Sequence, residues 1–124
     1  VTAALNPVFK SVHDVENAAR LSYGLAFAKY TGSRGKVMAN DADAEFIQEI
    51  RQIFDKNEIK YQSGGFGKVD EGGGGTVAKF LAYYGIRTVD AGPALLSMHS
   101  LFEISSKADL YETYRAYKVF FELD

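Results

Sequence analysis

The chain has 124 residues, 47% of them hydrophobic and 24% charged, with a formal net charge of -2 and no cysteine. The length suits one compact domain, and the balance is globular rather than disordered. Cysteine-free chemistry excludes disulfides, thiolate zinc sites and a thiol nucleophile; scattered Lys and Arg argue against a nucleic-acid surface, and no apolar run approaches the ~20 residues that cross a bilayer.

In chain order, Val1 to Tyr23 has no sustained period and reads as an extended start followed by a loop around Ser11 to Asn17. Val1 is not an initiator methionine and no basic-then-apolar signal follows it, so the opening is expected to be the interior of a longer protein. Gly24 to Tyr30 is a short apolar run between glycines, the pattern of a buried strand. Asp41 to Asn57 is the clearest helix: Phe46, Ile47, Ile50, Ile53 and Phe54 share one face. Asn40 or Asp41 can cap it, and Asn57 can adopt the left-handed stop. The charged or polar Glu45, Glu49, Arg51, Gln52 and Lys56 form its wet face.

Ile59 to Ser63 reads as a second strand, and Gly64 to Gly75 as a glycine-rich loop. Thr76 to Tyr84 follows as a helix ended by Gly85. Ile86 to Asp90 is a third strand and Ala91 to Ser105 a long connection. A last helix starts at Ser106 with the spacing of a capping box to Asp109 and carries Leu110, Tyr114, Tyr117 and Phe121 as an apolar stripe, for the core or a subunit contact. Alternating strands and helices define an α/β class and favour a parallel sheet. Right-handed crossovers then bring the ends of all three strands to one edge, where open α/β sheets bind ligands. Lys29, the glycine loop and Leu96-Ser-Met-His-Ser100 are expected to converge there.

Each of these features admits a plain reading. The run Gly72 to Thr76 allows close backbone approach, and free N-H groups at a helix start can take a carboxylate or phosphate. A nucleotide loop fails in detail, because Gly75 rather than Lys precedes Thr76, and Gly65-Phe66-Gly67 lacks the dinucleotide spacing. Lys29 can simply carry its charge to water, or offer a fixed positive charge to a substrate. His99 is one of two histidines and can ligate zinc, but no second ligand lies at short spacing. His13, beside Asp14 and Glu16, reads as a solvated loop residue. Ser97 and Ser100 lack a nucleophile-elbow sequence.

Taken together, Lys29-Tyr-Thr-Gly-Ser-Arg-Gly-Lys36, Asn40-Asp-Ala-Asp-Ala-Glu45, Gly67-Lys-Val-Asp-Glu-Gly-Gly-Gly-Gly-Thr76, Leu96-Ser-Met-His-Ser100 and Ser105-Ser-Lys-Ala-Asp109 resemble the aspartyl aminopeptidase and vacuolar aminopeptidase I family of dinuclear zinc aminopeptidases. The resemblance runs over nearly the whole chain. It implies that residues 1-124 are the C-terminal part of a zinc-peptidase-like α/β/α catalytic domain. It further implies two zinc ions in the full-length parent, with His99 as the last metal ligand, and substrate contacts at Lys29, Asp70, Gly74, Gly75, Thr76 and Met98. The other ligands and the general-base Glu lie upstream in the family, so no catalytic residue is assigned here. Val37 stands where some members have a tyrosine that touches substrate. The implied parent is a cytoplasmic homo-oligomer acting on peptides, with no nucleic-acid or membrane partner, and the isolated chain is expected to be inactive. The rivals are a non-catalytic packing or assembly fragment and a phosphate-binding α/β module.

Overall fold

The computed structural model describes residues 2-65 and 67-123. Val1, Phe66 and Asp124, which belong to segments read above, lie outside the described residues. The elements are β1 (Thr2–Ala3), β2 (Leu25–Ala28), β3 (Tyr30–Ser33), β4 (Val37–Asp41), α1 (Ala44–Lys56), β5 (Tyr61–Ser63), α2 (Ala78–Tyr83), β6 (Asp90–Gly92), β7 (Ala94–Leu96), β8 (Ile104–Ser105) and α3 (Lys107–Phe121). A 3-10 turn covers Lys10–Val12.

β2 is the centre of the fold, and all four of its residues are buried. Its side chains alternate between two faces, as the strand period requires. Leu25 and Phe27 join Ile50 and Phe54 of α1, Ile59, and Ala116 of α3 in one core. Ala26 faces the opposite way and meets Ala4, Ala19 and Ala94, where small side chains allow close packing. The Phe27 and Phe54 rings stack with centroids 5.5 Å apart, an arrangement that adds about 0.5–1.5 kcal/mol beyond area burial.

The sheet is mixed, which corrects the expected parallel arrangement. β2 pairs with β5 in parallel, and α1 serves as the crossover. β6 instead pairs with β2 antiparallel, Ala28 opposite Asp90. The reason is the placement of α2, a six-residue helix that packs against β4 rather than along the sheet. The chain therefore re-enters beside the end of β2 and runs back. β7 lies between β1, parallel to it, and β8, antiparallel.

Four local expectations are also corrected. Asp43, not Asn40 or Asp41, caps α1, its carboxylate accepting from Glu45 and Phe46 N-H groups; residues 40 and 41 are occupied in β4. Asn57 keeps a negative φ of -102°, and Glu58 takes the left-handed conformation at 54°. The third strand begins at Asp90 rather than Ile86. No capping bond forms at Ser106. Its hydroxyl meets that of Ser22 at 3.0 Å. Asp109 is fully buried and accepts the N-H groups of Ser22 and Gly24, both at 2.8 Å.

The apolar stripe of α3 faces outward. Its buried face is Asp109, Thr113 and Ala116, whereas Leu110, Tyr114, Tyr117 and Phe121 are exposed. Tyr117 still donates its hydroxyl to Ala91 O at 2.6 Å, and partial burial, then Asp90, raises its pKa. The charged face of α1 is exposed as expected.

Candidate functional site

Lys29 leaves β2 and opens the hairpin formed by β3 and β4, with Tyr30 opposite Asp41. Gly35 at its turn has a φ of 70°, the left-handed region open to glycine. The Lys29 ammonium is exposed and paired with the Asp41 carboxylate. The substrate-contact reading of Lys29 thus has a bland competitor at hand, a surface ion pair.

The glycine run lies along this hairpin. Gly32 N-H donates to Gly74 O at 2.9 Å, Arg34 N-H to Gly72 O at 2.8 Å, and Asp70 N-H to Arg34 O at 3.0 Å. The glycines are needed for contact as much as for flexibility. A Cβ on Gly73 would stand 2.6 Å from Gly32 O, and one on Gly75 only 2.2 Å from the Met38 Cβ. Gly74, by contrast, has nothing within 4 Å of its Cβ position. The Asp70 carboxylate pairs with Lys36, and the Lys68 ammonium sits 2.8 Å from Glu71, whose hydrogen bond raises its pKa. Thr76 donates its hydroxyl to Asp90 at 2.7 Å, which ties the end of the run to the start of β6. α2 covers Ala78–Tyr83, so the helix starts two residues after Thr76 rather than at it.

His99 is exposed in the turn between β7 and β8. It has a φ of 69°, and Ser97 one of 57°. Both are non-glycine residues in the left-handed region, as are Ser22, Arg34, Met38, Glu58 and Asp70. The turn is held by the Glu103 carboxylate, which accepts His99 N-H at 2.6 Å. This leaves the imidazole outward. Met98 beside it is half-buried.

Of the three features expected at one edge, two are joined by hydrogen bonds. The Lys29 hairpin and the glycine run pack together, but β6 runs opposite to β2 and carries the chain away from that edge. Among the described residues no hydrogen bond joins the His99 turn to either. Nor do three or more His, Asp or Glu residues gather where they could hold a metal ion. Zinc needs about four donors. Among the described residues His99 offers one exposed imidazole toward such a set.

Sequence reasoning missed three residues. Asp109 was assigned to a helix cap and instead holds the Ser22–Gly24 turn. Glu103 fixes the His99 turn, and only its spacing of four residues hinted at this. His13 is not solvated but buried, 9% exposed. Its Nε2 accepts Asn6 N-H at 3.4 Å, and its Nδ1 has no partner among the described residues. Burial lowers its pKa.

Comparison with solved structures places the arrangement in the α/β fold of metal-dependent aminopeptidases. It superposes on the crystal structure of an M18-family aminopeptidase from Thermotoga maritima with a TM-score of 0.92 at 56% identity, covering 98% of this chain and 27% of that one. Aminopeptidase I from Clostridium acetobutylicum gives a TM-score of 0.91 at 49% identity, with the same coverage. A probable M18 family aminopeptidase 1 of Borrelia garinii is 62% identical over 122 residues, 98% of this chain and 27% of the relative.

The family described as aminopeptidase I zinc metalloprotease (M18) matches residues 1–121, and the chain belongs to it. The chain spans about a quarter of the length of these relatives.

Proposed function

We propose that this chain is the C-terminal part of the catalytic domain of a zinc aminopeptidase that removes single residues from the N-terminus of peptides. In this reading His99 is one ligand of a two-zinc centre, and the remaining ligands and the general base come from the rest of the parent protein. The observation that carries the proposal is the outward imidazole of His99, on a turn fixed through Glu103, in a chain of the zinc-metalloprotease family. A metal pair supplies an activated water and a polarised carbonyl. The work of this chain is to present a nitrogen donor and to shape the substrate pocket. Lys29 offers positive charge beside the hairpin. Asp70, Gly74, Gly75 and Thr76 line the rigid edge that the glycine run makes against it, and Met98 contributes an apolar contact next to the ligand.

The isolated chain is inactive in this reading, because a single nitrogen holds no zinc tightly. The full-length parent acts in the cytoplasm as a homo-oligomer. The test is hydrolysis of aminoacyl p-nitroanilides by the parent, compared with the same substrates blocked at the amine, with and without a chelator. Cleavage restricted to free amines and abolished by chelation is expected; equal cleavage of blocked substrates, or indifference to chelation, refutes the proposal.

A packing or assembly role is the second reading. It is favoured by the outward face of α3 and by Leu101 and Phe102, both strongly exposed. Contiguous apolar surface of this kind marks contacts. A metal-loaded parent that lacks peptidase activity would decide for it.

A further inference from the structure

The first reading leaves His13 without a role, yet it is the buried titratable group nearest the glycine loop. Residues on either side of it clamp that loop. Val12 O accepts Lys68 N-H at 2.9 Å, and Asn17 O accepts Gly65 N-H at 2.7 Å. Gly72 passes so close that a Cβ there would lie 2.7 Å from Val12 O. A hollow at this junction is lined by His13, Asp14 and Val15 on one side and by Gly67, Lys68 and Val69 on the other. The imidazole closes the segment on itself through Asn6, whose side-chain oxygen accepts Val8 N-H at 2.8 Å.

We propose that His13 is a positioning residue for the substrate loop, acting through Val12 and only in its neutral form; this rests on the aminopeptidase reading for its catalytic consequence.

The chemistry fixes the form. An Nε2 that accepts from a backbone N-H must be unprotonated, so the ring proton sits on Nδ1. Protonation would turn Nε2 into a donor facing the Asn6 donor and place a cation at a hollow whose one lining carboxylate, Asp14, is already hydrogen-bonded elsewhere. Of the charged groups at the hollow, Asp14 is engaged with Asn17 and with Glu16 N-H. Lys68 is cationic and paired with Glu71, and Lys10 meets His13 only through its backbone carbonyl. Burial depresses the imidazole below its ordinary 6.5. The clamp is thus fully present above about 6.5 and is lost as pH falls through the lower folded value.

The experiment compares the full-length parent with its His13→Gln variant, whose amide oxygen can accept from Asn6 without titrating. The kcat and KM for the aminoacyl anilide cleaved fastest are measured from pH 5.5 to 7.5, alongside amide hydrogen exchange of residues 67–75. In the wild type KM should rise toward pH 5.5, by less than the roughly tenfold that an unshifted imidazole would give, with kcat changing less, and loop protection should fall in parallel. The variant should keep both flat. Identical KM profiles in the two proteins, or wild-type loop protection that does not change between pH 5.5 and 7.5, overturn the assignment. If the variant does not fold, the wild-type exchange measurement alone decides. If the parent has no peptidase activity, the aminopeptidase reading fails while the exchange data still judge His13.

Discussion

Replacing Asp109 tests how the last helix is joined to the centre of the fold. Its carboxylate is fully buried and accepts two backbone N-H groups, from Ser22 and Gly24, each at 2.8 Å. These bonds bridge more than eighty residues of sequence and fix the turn that feeds β2. Asp109→Ala leaves both donors without a partner. The buried Gly24 donor, once orphaned, costs about 1–3 kcal/mol, and the part-buried donor of the exposed Ser22 adds less because water can reach it. That is a large fraction of the stability of an ordinary domain. Asp109→Asn is the sharper variant. Its single carbonyl can satisfy one donor, while its NH2 group faces the other, so it should lose nearly as much as the alanine. Urea denaturation with an unchanged m-value reads the loss directly, and hydrogen exchange at residues 22–26 locates it. An asparagine variant within about 1 kcal/mol of the wild type would show that the carboxylate does not hold the turn.

Neighbouring glycines should respond in opposite ways. Gly75→Ala pushes a Cβ into Met38 and should cost about 1–3 kcal/mol, whereas Gly74→Ala meets nothing within 4 Å and should stay within about 0.5 kcal/mol; equal effects in denaturation would contradict the packing of the run on the hairpin. Lys29→Ala removes only an exposed ion pair with Asp41, worth about 0–1 kcal/mol, so a large fall in kcat/KM at nearly constant stability marks a substrate role, and an unchanged kcat/KM counts against one. The isolated chain should emerge from dialysis with far less than one zinc per molecule, since a near-stoichiometric content by elemental analysis would mean that ligands other than His99 are present.

What the sequence made legible depended on local pattern. Five apolar residues on one face gave α1 within a few residues of its bounds, and the apolar run from Leu25 gave β2. The hairpin of β3 and β4 escaped because Thr31-Gly-Ser-Arg-Gly35 carries no apolar alternation; its own ladder is braced by the non-local glycine run. The direction of β6 was equally invisible, since it depends on where the short α2 docks. In α3 the aromatic spacing was real but pointed outward, and a polar face built on Asp109 and Thr113 took the interior. His99 was singled out by type and family pattern. The burial of His13 could not be read, because Asp14 and Glu16 beside it suggest water, and its neighbours in space are Asn6 and the loop around Lys68.

The most direct measurement is zinc content together with peptidase activity of the full-length parent carrying His99→Ala, on protein shown by circular dichroism to be folded. The account predicts a sub-stoichiometric metal content and loss of most activity. Full metal occupancy with wild-type turnover would contradict it.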